Sequence, residues 1–463
     1  MVEIKEITIQ EISNLIKEKK ISVKELVEEY LHRIEKLDQG SHGLNSVLEI
    51  NPDALEIAGN LDNRHSEGSS LLFGVPILLK DNINTADQMH TSAGSLALAD
   101  NIPSKDAEIV SILRSKGAVI LGKTNMTEFA NYMTKGMPPG YSSRGGYVKS
   151  PYREGVDPSG SSTGSAVAVT ANLCAASIGT DTSGSIISPA TNNSIVGFRP
   201  SMGSLSQKGI IPISFTCDTA GPMTRTVSDA AIIYSELTSI NGGSENSRNR
   251  LLVMKEDGEK ADGKGCTLGI NEWSLKNMDT EKAKKAESIL KEIEKAGVQI
   301  QGFSIEPLPK DQIKGIQRYE FKYAINRYLS NLPKEYRMKS LRDIIQFNQE
   351  HPETLRYGQE LLIDAEENTR GDLSENEYIE LLKNRERLKM QTYEILRGID
   401  ACIMFTENLL LHLIGLPVIT IPHGMCNDGT PYGICLTGLT DTDLLNQALF
   451  LEKLVGQRKV PLL

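Results

Sequence analysis

Residues 106–130, DAEIVSILRSKGAVILGKTNMTEFA, decide the fold class. They read as a helix, a glycine turn, a short apolar strand, a second turn and a second helix. Helix and strand alternating in this way predict an α/β architecture. Upstream, FGVPILLKDNI (73–83) reads as a buried strand that ends at a lysine. Downstream, GIDACIMF and GLPVITIP return as strands. Two helices open the chain, because Thr8 with Glu11 and Ser22 with Glu25 match the capping-box pattern ahead of helix-spaced apolar residues. Residues 141–205 are dense in Gly and Ser but poor in long polar side chains, so they are expected at the buried centre. Residues 240–264 read as a polar surface excursion, 280–297 as a charged amphipathic helix, and 310–398 as a mostly helical cap.

Composition narrows the function classes. At 463 residues the chain can bury a large core. Its net charge is −10 and no Lys/Arg block is interleaved with aromatics, so no nucleic-acid partner is expected. The first residues are of mixed charge, without a basic-then-apolar leader. The longest apolar stretch, LLLHLIGLPVITIP (409–422), contains His412 and is broken by Pro417, so no membrane span is expected. Six cysteines scattered without a C-x-x-C favour reduced thiols and a cytoplasmic setting. No H-E-x-x-H and no Cys/His cluster is present, so neither a metal nor another cofactor is expected, and His412 and His423 are read as structural.

Four stretches could carry chemistry. DPSGSSTGSA (157–166) fits G-x-S-x-G, which would make Ser162 a nucleophile, but it lacks the Lys of a phosphate-binding loop. Ser288 and Lys291 form an S-x-x-K pair on a solvated helix, where the amine would stay protonated. Lys80 ends the apolar strand GVPILLK, where it must be paired, neutral or snorkelling to solvent. GTDTSGS (179–185) is either a plain tight turn or a nest of N–H groups aimed at an anion, with Ser185 at its edge.

Apart from the Ser288/Lys291 pair, these stretches together resemble the amidase signature family. GVPILLKDNINT is similar to its lysine motif, and SGSSTGSAVAVTANLCAASIGTDTSGSI to its Ser/Gly signature, with Ser161 and Ser185 spaced as in that family. The likeness is dense over residues 70–232 and includes DTAGPMTRTVSDAA. It leans toward the branch that contains peptide amidase. It implies one α/β/α domain over 1–463, with a mostly parallel mixed sheet, a helical layer over 1–69 and a substrate-shaping segment over 310–398 that includes RYEFKYAINRYL and RYGQELL. It also implies a cofactor-free amidohydrolase with Ser185 as nucleophile, Ser161 as bridging serine after a cis peptide bond from Gly160, and Lys80 as base. Backbone N–H groups of Thr182, Ser183, Gly184 and Ser185 would form the oxyanion hole, with Ser162, Gly160 and Asp181 in support. The partner would be a small-molecule or peptide amide, and the chain a monomer or homodimer. A glutaminase subunit of a tRNA-dependent amidotransferase and an esterase using the same triad are the alternatives. The sequence departs from the family pattern at Thr163, Ser183 and Ile187, changes expected to bear on substrate shape.

Overall fold

The computed structural model describes residues 3–40, 42–64, 70–238 and 266–463. The expected polar excursion at 240–264 lies outside the described residues. Both opening helices, Ile9–Lys17 and Val23–Leu37, carry the expected capping boxes.

A single sheet of eleven strands organises the described chain. In chain order its strands are β1 (Val47–Ile50), β2 (Pro76–Lys80), β3 (Val119–Thr124), β4 (Ala176–Asp181), β5 (Val196–Arg199), β6 (Thr219–Thr224), β7 (Thr267–Asn271), β8 (Gln299–Phe303), β9 (Ala401–Ile403), β10 (Val418–Met425) and β11 (Pro431–Thr437). Across the sheet they run β1-β3-β2-β4-β6-β5-β10-β11-β9-β7-β8. The α/β class and the mixed sheet are as expected. Parallel pairing is concentrated in β3-β2-β4 and β9-β7-β8, and the pairs between these runs are antiparallel. Every residue of β2, β3 and β4 is buried, as strands covered on both faces should be.

Helix Thr163–Thr170 packs on β2, β3 and β4, and all eight of its residues are buried. Its small residues let it sit close to neighbouring backbone. A Cβ added at Gly164 would lie 2.3 Å from Ser46 O and 2.4 Å from Asn125 O. Backbone cannot swing aside as a side chain can, so Gly164→Ala is expected to destabilise the fold by about 3 kcal/mol. Urea unfolding should show a lower midpoint at an unchanged slope.

The opening stretch departs from expectation once. Helix Glu108–Ser115 and β3 form, but the second helix is only a short 3-10 turn, Glu128–Asn131. Phe129, Ala130 and Asn131 all have positive φ, which no α-helix accommodates. The segment 310–398 is mostly helical as expected, with helices Lys310–Ser330, Leu341–Glu350, Glu360–Glu367 and Asn376–Ile395. Among the described residues no helix is long and apolar enough to cross a membrane, and all six cysteines are unpaired.

Candidate active site

Lys80 and Asp181 end two adjacent parallel strands, β2 and β4, at the same edge of the sheet. Carboxyl ends of parallel strands are where open α/β sheets place ligands. Ser161 and Ser162 lie at the start of helix Thr163–Thr170, which leads into β4. Strand ends and helix start thus bring residues 80, 161, 162 and 181 together.

Lys80 is fully buried, and its Nζ lies 2.8 Å from Ser161 Oγ and 3.1 Å from Thr180 O. The snorkelling alternative is thereby removed. Burial pulls the Lys80 ammonium down to about 7, against the opposing pull of the Asp181 and Asp218 carboxylates. Asp81, next in sequence, belongs to the other side of the strand end, where Ser92 Oγ, the Gly94 N–H and Arg144 donate to it. The Gly160–Ser161 peptide bond is cis. Ser162 donates to Thr180 O at 3.0 Å and receives the Thr180 N–H at 3.2 Å, so its hydroxyl is committed to β4 and does not face the cavity.

The turn 182–185 is pinned from below by Asp181. Its carboxylate accepts the N–H of Gly184 at 2.9 Å and of Ile186 at 2.7 Å. The Gly184 N–H is therefore turned inward, which corrects its expected place among the oxyanion donors. The N–H groups of Thr182, Ser183 and Ser185 donate to no acceptor among the described residues. The Ser185 hydroxyl likewise makes no hydrogen bond among them. Ser185, Thr182, Ser183 and Gly160 line a cavity of about 1130 Å³.

The far wall of that cavity comes from helix Lys310–Ser330, through Ile313, Gln317 and Arg318, and from Glu360, Leu361 and Asp364. Arg318 pairs with Asp364 at 2.7 Å. The helical segment does shape the cavity, but mostly ahead of the aromatic stretch RYEFKYAINRYL. Phe321, Ile325 and Leu329 of that stretch face a second hydrophobic core instead. Of the three departures from the family pattern, only Ser183 lines this cavity, with Gln317 Nε2 3.4 Å from its Oγ. Thr163 is buried and donates to Ser159 O at 2.6 Å, and Ile187 lines a different cavity. Their expected bearing on substrate shape thus narrows to Ser183.

Several residues escaped sequence reasoning. Asp218 accepts from Thr182 Oγ1 at 2.6 Å and from the N–H groups of Ile213 and Ser214, and burial pushes its carboxyl up to about 6. It lies in DTAGPMTRTV, so the family-like stretch carried a signal. Glu320, buried on the wall helix, accepts from Ser214 Oγ at 2.5 Å, Thr216 N–H at 3.1 Å and Tyr378 OH at 2.7 Å. Arg199, wholly buried, donates to Asp181 at 3.2 Å. His412 lies 3.0 Å from Asp181, and its position inside an apolar run was the available signal. Burial alone would raise Asp181, but His412 and Arg199 hold it well below the usual carboxylate range.

The model of the family described as Amidase matches residues 25–415. A protein of Arabidopsis thaliana described as a probable amidase is 36% identical, covering 99% of this chain and 92% of its own. A glutamyl-tRNA(Gln) amidotransferase subunit of Bdellovibrio bacteriovorus is 29% identical over 96% of both chains. The crystal structure of native peptide amidase from Stenotrophomonas maltophilia superposes with a TM-score of 0.90, at 33% identity and 99% coverage of each chain.

Proposed function

The chain belongs to the Amidase family, and on that premise we propose that it cleaves a carboxamide C–N bond through a Ser185–Ser161–Lys80 relay and an acyl-enzyme. As a member of that family it is a hydrolase acting on amides. The observation that carries the finer reading is the fully buried Lys80, 2.8 Å from Ser161, beside a cavity that Ser185 lines.

In this reading neutral Lys80 takes the Ser161 proton while Ser161 takes that of Ser185. The Ser185 oxygen attacks the carbonyl carbon, and the C=O pair moves onto oxygen. The free N–H groups of Thr182, Ser183 and Ser185 receive that charge. Collapse breaks the C–N bond, and the relay run backwards delivers a proton to the departing nitrogen, which leaves as ammonia or an amine. Water, deprotonated by the same relay, then hydrolyses the Ser185 ester to a carboxylic acid. Ser162 and Asp181 hold the two loops in register.

The test is ammonia release from a panel of aliphatic, aryl, peptide C-terminal and glutamine carboxamides, with Ser185→Ala as background. Turnover above that background on at least one simple amide by the isolated chain is expected. A panel no faster than background would sink the reading. Glutamine hydrolysis that needs a partner protein would instead favour the amidotransferase role of the Bdellovibrio relative.

A further inference from the structure

Behind the 182–185 turn lies a row of buried charges that the relay does not use. Arg199, Asp181, His412 and Glu407 follow one another, and the first three side chains are wholly buried. His412 Nδ1 is 3.0 Å from Asp181 Oδ1, and its Nε2 is 3.2 Å from Glu407 Oε1, an ion-pair separation without the alignment of a full hydrogen bond. The other Glu407 oxygen accepts from Ser188 Oγ. Arg199, Asp181 and Glu407 are the charged groups facing His412. Burial alone would lower the imidazole's proton affinity, but the Asp181 and Glu407 carboxylates raise it.

Glu407 sits directly against the turn. A Cβ built on Gly184, whose φ is +106°, would lie 2.2 Å from Glu407 Oε1, and Glu407 lines the same cavity as Ser185. An uncompensated carboxylate there works against the reaction. A like charge about 6 Å from a forming oxyanion, at an effective dielectric of about 20, slows its formation roughly a hundredfold.

We propose that His412, as an imidazolium, is a positioning residue that neutralises Glu407 behind the anion-binding turn and so permits negative charge to develop on the carbonyl oxygen. The inference rests on Ser185 being the nucleophile at that turn. It assigns Glu407 an inhibitory charge that the fold keeps cancelled, and His412 a role beyond packing. Asp181 stays paired with Arg199 when His412 changes, so the turn keeps its pin.

The experiment is a two-by-two cycle of His412→Asn and Glu407→Gln, assayed for kcat, KM and pH dependence against a Ser185→Ala background. Asn preserves a donor toward Asp181 but carries no charge. His412→Asn is expected to lower kcat roughly 30- to 100-fold with KM within about twofold, since the lost interaction matters only in the transition state. Adding Glu407→Gln should restore at least about fivefold of that loss, because the charge needing cancellation has gone. A double variant no faster than His412→Asn, or a loss confined to KM, would overturn the proposal. If His412→Asn does not fold, Glu407→Gln alone decides. Wild-type kcat should fall at alkaline pH as His412 loses its proton, and Glu407→Gln should flatten that limb. An unchanged limb overturns the proposal. Wild-type turnover equal to the Ser185→Ala background marks failure of the nucleophile assignment itself, and with it this inference.

Discussion

Replacing Ser185 by Ala is expected to lower kcat by roughly 10⁶-fold, the scale seen when a serine nucleophile is removed from a relay that acts as a unit. The residue lines the cavity, its hydroxyl makes no hydrogen bond among the described residues, and the N–H groups of residues 182, 183 and 185 have no acceptor among them. A fluorophosphonate probe should label the wild-type chain once, and the modified peptide should contain Ser185. Ser162→Ala should label normally, since that hydroxyl is engaged with Thr180 on both sides. Label on Ser162, or persistence of label in Ser185→Ala, would assign the chemistry to the G-x-S-x-G match instead. Catalytic loss should not track stability, because Ala removes a hydroxyl that holds no neighbour in place.

Lys80→Met is expected to lower kcat on the order of 10⁴-fold, the upper end of what a general base supplies. The pH profile carries the sharper signature. With its amine near pKa 7, Lys80 is half neutral at neutral pH, so kcat/KM should rise about tenfold per pH unit below 7 and level off just above it, ahead of the alkaline fall assigned to His412. Lys80→Arg, which keeps the charge, should be as inactive as Lys80→Met at every pH. Stability carries a pH signature as well. The ordinary amine value of 10.5 falls to about 7 on folding, so between these values the unfolded chain binds a proton that the native chain does not. Native stability therefore rises with pH across that window, and the burial penalty is fully present below 7. Lys80→Met removes this slope. Urea unfolding at pH 6.5 and 9.5 should show the variant gaining relative to wild type at the lower pH. A wild-type advantage that is constant with pH would mean that Lys80 keeps its proton in the native state.

The fold class was legible, and Lys80 and the 179–185 turn stood out as candidates, because each is a local pattern, whereas the local pattern at 160–164 pointed to Ser162 and Ser161 entered only through the family resemblance. A strand covered on both faces must be an apolar run, so a lysine closing PILLK stands out. A small-residue turn announces close backbone approach, so GTDTSGS stands out too. Long-range partners were not legible. His412 meets Asp181 across 231 residues, and Tyr378 meets Glu320 across 58, and nothing in either neighbourhood encodes the other. The cavity wall was placed too far along its helix for a physical reason. The aromatic residues of RYEFKYAINRYL invite a pocket, but large apolar side chains are first claimed by a core, here with the Tyr132 and Phe321 rings 4.5 Å apart and tilted by 37°. The inward turn of the Gly184 N–H was within reach of sequence reasoning. Asp side chains accept nearby backbone N–H groups in turns, and Asp181 stood just ahead of that glycine in the quoted motif.

Glu320 ties the wall helix to residues 214 and 216, and Asp218 ties the same loop to Thr182. The helix that walls the cavity and the 182–185 turn are thus braced by one loop. Grafting a relative's wall helix into this chain to broaden its substrate range would leave Ser214, Thr216 and Tyr378 facing an empty position unless the carboxylate travels with the graft. The residues freer to diversify are the exposed ones of the same helix that line the cavity, such as Lys310 and Lys314. Drift toward new substrates along this lineage should therefore accumulate on that face while residue 320 stays fixed.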